Sequence, residues 1–216
     1  MKSIVKYCLL MLLFPQQIFA QEFISQDMKN YFSTCIEARQ LILEKKCDDL
    51  LLCAKKMMDL DITELDDSDF VSMQPDKEIG LDGHVVFTDP GLIVVAEAII
   101  NGNSTKYNLH NLNRGNGVLL THRVIPANST MKYKINDLVD DIDLLIFQEK
   151  IGNFTISLID MQGNRIINDT ELTEKGWGLL KFSILNSPST VTVVITNKEE
   201  EDICCAFAIN GQLALF

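Results

Sequence analysis

The hydrophobic period changes once along this chain, and that change constrains the fold more than any other feature. Between residues 25 and 60 there is no Gly or Pro. Apolar residues recur at Met28, Phe32, Ile36, Leu43, Cys47, Leu50, Ala54, Met57 and Met58. Steps of three, four or seven mark one face of a helix. From His84 onward the period is two, and the predicted strands are His84–Thr88, Leu92–Ile99, Val118–Val124, Thr130–Asn136, Asp143–Glu149, Asn153–Asp160, Arg165–Asn168, Gly178–Leu185, Thr190–Asn197 and Ile203–Ile209. Turn signals separate them at Asp89-Pro90-Gly91, Asn113–Gly117, Pro126-Ala127-Asn128, Gly163-Asn164, Ser187-Pro188 and Lys198–Asp202. Short strands at near-regular spacing predict a mainly β fold, a β-sandwich or jelly roll, behind an N-terminal helical segment.

A single helix over 25–60 would reach about 50 Å at 1.5 Å per residue, longer than a sandwich domain can cover. Two packed helices are therefore expected. Ser25 and Asp27 suit the start of the first. The polar run Glu44–Asp49 suits a turn, with Asp48 capping the second. Asp59, Asp61, Glu64, Asp66, Asp67 and Asp69 then mark a break, followed by Pro75 and Gly80. No Gly sits where a calcium loop needs one after Asp66, Asp67 and Asp69, so this run reads as a solvated linker. The expected organisation is 1–20 signal peptide, 21–60 helical segment, 61–82 acidic linker and 83–216 β-sandwich. The sandwich is expected to fold without the helices.

The first twenty residues carry Lys2 and Lys6, then an apolar run from Cys8 to Phe14, then Ile18-Phe19-Ala20 before Gln21. This is the pattern of a cleaved export signal, too short to span a bilayer, and no transmembrane segment is expected after cleavage. The expected location is secreted or periplasmic, and the signal resembles those of Bacteroidetes-type bacteria. Formal charge is −11 for the full chain, and removing the two lysines takes it to −13. So acidic a chain repels phosphate backbones, and nucleic acid is not an expected partner.

Five cysteines remain after cleavage: Cys35, Cys47, Cys53, Cys204 and Cys205. An odd number without framework spacing is not a disulfide scaffold, and no C-x-x-C occurs. They read as small apolar core residues, with one disulfide as the alternative. His84, His110 and His122 are not at metal-ligand spacing, and no H-E-x-x-H, G-x-S-x-G, Walker loop or S-x-x-K appears. No catalytic residue, metal or cofactor is predicted. The four N-x-[ST] sites, at Asn103, Asn128, Asn153 and Asn168, are glycan acceptors only in a eukaryotic secretory chain.

One side chain stands out as a ligand-binding candidate. Trp177 lies in Glu174-Lys175-Gly176-Trp177-Gly178, the lone Trp between two glycines. Glycines permit a flat partner to approach, and exposed Trp is a favoured contact residue. The same pattern also suits a Trp that folds back and plugs the end of the sandwich.

Thr130–Asn136, "VDDIDLLIF" (Val139–Phe147), "SLIDMQGNRI" and "TVVITNKEEEDICCAFAIN" together resemble the bacterial pre-peptidase C-terminal type of β-sandwich over about Val118 to Asn210. The resemblance implies a non-catalytic domain. The role expected from all of this is a non-enzymatic binding or structural module of the bacterial envelope, with sandwich loops contacting an envelope protein or glycan. The competing role is a secreted hydrolase using carboxylates on a sandwich scaffold.

Overall fold

The computed structural model describes residues 25–65, 68–76, 84–101, 117–172 and 174–213. Residues 1–20, expected to be a signal peptide, together with Asp66, Asp67, Gly80, Asn103, His110 and the expected turn from Asn113 as far as residue 116, lie outside the described residues. The helical segment is a hairpin of α1 (Gln26–Glu44) and α2 (Cys47–Met58). Ser25 caps α1, its Oγ accepting the Met28 N–H at 3.1 Å. Lys45 ends α1 in the left-handed region, φ 55°, and the Lys45 and Lys46 N–H groups return to Ile42 and Leu41. Asp48 is not the cap of α2. Lys46 holds that position without a side-chain bond, and Asp48 and Asp49 sit in the first turn, where the helix dipole favours them. Leu43 and Met58, expected on the buried face, are exposed.

Residues 92–99 are not a strand. They belong to α3 (Asp89–Asn101), and the expected turn at Asp89-Pro90-Gly91 is its first turn. Ile93, Val94, Val95, Ile99 and Ile100 favour strands, but local start signals and packing override them. Thr88 accepts the Gly91 N–H at its Oγ1 (3.1 Å) and the Leu92 N–H at its carbonyl (2.9 Å). Pro90, in the first turn, lacks an N–H that would have no helical partner. A Cβ on Gly91 would lie 2.0 Å from the Val86 carbonyl oxygen, so only Gly fits that approach.

The sheet strands are β1 (Ile62–Glu64), β2 (Phe70–Ser72), β3 (Val118–Ile125), β4 (Ser129–Gln148), β5 (Phe154–Ile159), β6 (Arg165–Glu171), β7 (Trp177–Asn197) and β8 (Ile203–Leu213). Their order is β1-β3-β8-β4-β7-β5-β6, with β2 on β4. Two of these strands, β1 and β2, fall where the sequence predicts only a linker. The pairs Thr155↔Glu171, Ile135↔Val191, Ile142↔Phe182 and Thr121↔Phe207 all have midpoints within about one residue of Gly163. The chain from β3 to β8 is thus one long hairpin rolled up around its tip, which is the jelly-roll arrangement.

β4 and β7 each take the place of two predicted strands. Both run through a corner and serve two layers. In β4 the positions that face the core between the layers are Met131, Tyr133 and Ile135, then Leu138, Ile142, Leu144 and Ile146. The parity flips because the register shifts between Ile135 and Asp140, beside Asp137 at φ 56°. An extra residue in a strand moves every later side chain to the other face. β7 flips in step, from Leu180 and Phe182 to Val191, Val193 and Ile195. Ser187-Pro188 falls in this irregular stretch, where a missing backbone donor is tolerated.

The first layer is β1, β3, β8, the later half of β4 and the early half of β7. The second is β2, the early half of β4, the later half of β7, β5 and β6. One core lies between the layers, built from Tyr133, Phe154, Val193, Phe207 and their neighbours. A second core lies between the outer face of the first layer and the helices, around Phe32, Phe87, Phe147 and Trp177. First-layer strands are therefore buried on both faces, which is why Leu144–Phe147 and Ile203–Ile209 read as continuous apolar runs.

Candidate interface

The groups that could carry chemistry are committed to holding the chain. Residues 84–88, predicted as a strand, join no ladder. Buried side chains take up the N–H groups of Val85 and Phe87 instead. The Val85 N–H donates to Glu149 Oε2 at 2.6 Å, and the Phe87 N–H donates to His122 Nε2 at 3.1 Å. Glu149 also accepts the Cys204 N–H at 3.0 Å and lies 2.7 Å from His84 Nδ1. One carboxylate thus ties residues 84–85 to β8. Among the described residues no three His, Cys, Asp or Glu side chains gather as a metal site.

These two histidines respond to pH with opposite signs. The hydrogen bond to Glu149 raises His84 above its ordinary range, against a smaller opposing effect of burial. Its stabilising contribution is complete below about pH 6.5 and is lost as pH rises through the raised value. Burial, aided by Arg123, lowers His122 to about 3. Its contribution is complete above about pH 6.5 and erodes below that, because the unfolded chain takes the proton first. Thermal melting between about pH 5.5 and 6.5, above most of the range where ordinary carboxylates titrate, should show stability falling on acidification. His122→Gln should flatten that slope. An unchanged slope would remove His122 from the account.

The thiols are quiet. Cys35, Cys53, Cys204 and Cys205 are buried and none is in a disulfide. Burial raises all four, Cys53 to about 11 and the others further, which suppresses the reactive thiolate.

Trp177 is not on the surface. Its ring is 6% exposed and packs edge-on against Phe32, centroids 4.6 Å apart. The flanking glycines serve close packing. Gly176 has φ +66°, and a Cβ there would lie 2.6 Å from Arg39 Nη1. At Gly178 a Cβ would lie 2.6 Å from a Leu172 methyl. Arg39 lies over the Phe147 ring at 4.6 Å and donates to the carbonyls of Gln148, Lys175 and Gly176, so it clamps α1 to the loop before Trp177. The indole sits in the helix–sheet core, under α1, and Lys175 Nζ stands 5.3 Å from its centroid.

One broad sheet face remains. Among the described residues, helices cover the outside of the first layer, whereas nothing covers the outside of the second. Cross-strand register sets its side chains in three rows. Thr130, Thr196, Thr155 and Glu171 form the first, Lys132, Val194 and Ser157, the last of these buried, the second, and Lys134, Thr192, Ile159 and Arg165 the third. The hydroxyls of Thr130 and Thr196 meet at 2.8 Å. A strip of hydroxyl and small apolar groups thus runs along β7 and β5. Lys132 and Lys134 flank it on one side. On the other stand Asp169, paired with Arg165 at 3.0 Å, and Glu171, near Lys198 at 3.6 Å. Among the described residues every Phe, Tyr and Trp ring is buried, so this face offers hydrogen-bonding and charged groups and no ring to stack on. Sequence alone could not find it, because threonine and lysine alternating with valine is what any half-exposed strand shows. The edge beside it is blunted. β6 carries two register breaks and three charged residues, which discourage strand addition.

The chain matches no family model and no curated protein. Among solved structures it is similar to the Yersinia pseudotuberculosis-derived mitogen, at 11% identity and TM-score 0.36 over 46% of this chain and 90% of that one. It is also similar to the pre-peptidase C-terminal domain of a collagenase from Bacillus anthracis, at 18% identity and TM-score 0.31 over 41% and 87%. A third is a carbohydrate-binding module specific for non-crystalline cellulose, at 13% identity and TM-score 0.30 over 49% and 79%. The second of these is a domain of the type that the sequence resembles.

Proposed function

We propose that this chain is an exported, non-enzymatic binding module of a bacterial envelope, and that the open face of the second layer is its contact surface. The observation that carries this reading is the asymmetry of the two outer sheet faces. One is sealed by α1, α2 and α3. The other presents ordered rows of hydroxyls between lysines and carboxylates. Such a face suits a polar partner laid along the strands, a protein segment or a glycan chain, held by hydrogen bonds at its centre and charge at its rim. It replaces the loop contacts expected from the sequence. His84, His122 and Glu149, the groups nearest to acid–base chemistry, support the reading through their structural engagement.

The test compares the wild-type chain with Lys132→Glu/Lys134→Glu/Thr192→Arg, all on the open face. Both are immobilised and challenged with solubilised envelope protein and with a glycan array. Circular dichroism should show the same fold for both. The expected result is a partner captured by the wild type and lost by the variant. Capture that survives the variant, or hydrolysis of any bound glycan or peptide, overturns the reading.

A further inference from the structure

The outer side of α2 carries a pattern that the core does not explain. Leu50, Cys53, Ala54 and Met57 are buried. Asp48, Leu51, Leu52 and Lys55 follow one another at helical steps of three, one and three, so they form a single stripe on the opposite side. All four are exposed, Leu51 by 39% and Leu52 by 53%. Two adjacent leucines on the solvent side of an otherwise charged helix leave apolar surface in water. Among the described residues neither Asp48 nor Lys55 has an ion-pair partner. The neighbouring Lys56, by contrast, is held by Glu37 at 2.6 Å.

We infer that this stripe is a two-fold contact with a second copy of the chain, α2 packed antiparallel on α2. The warrant is self-complementarity. In a two-fold contact, if residue i meets j, then j meets i. With the axis between Leu51 and Leu52, the leucines of each copy meet those of the other. Asp48 of each meets Lys55 of the other, giving two equivalent ion pairs around an apolar centre. A parallel arrangement in register would set Asp48 on Asp48 and Lys55 on Lys55, so the charges also fix the direction. The antiparallel arrangement opposes the two helix dipoles as well. A contact through a single 12-residue helix is smaller than the surfaces of about 1,200 Å² or more that hold permanent complexes together. The dimer is therefore a concentration-dependent one.

This inference does not rest on the proposed function, but it has a consequence for it. α2 lies on the sealed side of the sandwich and the open sheet face on the other. The dimer would carry two open faces pointing away from each other, and avidity would follow without any new contact to the partner.

Sedimentation equilibrium from low micromolar to millimolar concentration tests it. The wild-type chain should shift from monomer to dimer, and Leu52→Gln should stay monomeric. Asp48→Lys and Lys55→Asp should each weaken self-association by roughly tenfold or more, because each sets like charges together twice. The two single variants, mixed in equal amounts, should associate with each other, since each then supplies the charge the other needs. A wild-type chain that stays monomeric at millimolar concentration overturns the inference. So does a dimer indifferent to both charge changes, or mixed variants that do not pair. Unchanged circular dichroism confirms that these surface variants are folded.

Discussion

Trp177→Ala is expected to cost about 3–5 kcal/mol, the range for truncating a buried large aromatic side chain. The ring fills the space between α1 and the first layer. It contacts Phe32 at 4.6 Å and is all but sealed from water. Removing it leaves a cavity where three parts of the fold meet: α1, the end of β4 and the loop that Arg39 clamps. In a chain of this size each kcal/mol lowers the melting temperature by about 2–4 °C, so the drop should be roughly 10 °C. The wild-type protein supplies a second readout. Trp177 is its only Trp, so emission should be blue-shifted and poorly quenched by acrylamide. Trp177→Phe keeps an edge-on aromatic contact and should lose less. A Trp177→Ala variant as stable as the wild type, with red-shifted wild-type emission, would contradict the packing described.

Deleting α1 and α2, residues 25–58, is expected to abolish the cooperative fold. The sequence predicts the contrary, a β-domain that stands without its helices. The difference lies in which faces of the first layer are apolar. Leu145, Phe147, Trp177, Ala206, Ala208, Val118 and Leu120 all belong to the core shared with the helices. Without α1 and α2 they would form a contiguous apolar surface, larger than soluble monomers tolerate. Met28, Tyr31, Phe32, Leu50 and Met57 would no longer cover it. Residues 59–216 should bind a hydrophobic dye, lose near-ultraviolet dichroism and melt without a sharp transition, or aggregate. A monomeric product with a sharp melt would show that the inter-layer core suffices alone.

Much of the β architecture was legible because one face of each second-layer strand is solvated. Val191, Val193 and Ile195 alternate with Thr190, Thr192, Val194 and Thr196, and Phe154, Ile156 and Leu158 alternate with Thr155, Ser157 and Ile159, so period two stands out. The helical hairpin was legible through the Ser25 cap and the polar break at Lys45-Lys46. Three features were not. α3 is apolar on most sides and rich in β-branched residues, so propensity pointed to a strand while Thr88 and Pro90 set a helix. The corner strands β4 and β7 looked like four strands because a bulge resets the hydrophobic phase just as a turn would. The segment 84–88 looked like a strand because Val85-Val86-Phe87 is a short run of strand-favouring residues before a turn signal, yet the Val85 and Phe87 N–H groups go to Glu149 and His122, far away in sequence. The candidate site fared worst. A Gly-flanked Trp is written the same way whether the glycines admit a ligand or an arginine and a leucine from the same chain.

The shared midpoint at Gly163 also bears on how quickly so non-local a sheet can assemble. A sheet of distant pairings ordinarily folds slowly, since each contact must first close a long loop. Here the β5–β6 hairpin can form alone on the microsecond scale. Once it has, β7 and β4 are brought close, and β8 and β3 after them. Each new pair then closes only a short additional loop, not the whole intervening chain. The parallel β1–β3 contact and the helix layer lie outside this zipper and come last. Substitutions near the tip, such as Leu158→Ala, should therefore slow folding, whereas Phe32→Ala, in the helix layer, should mainly hasten unfolding.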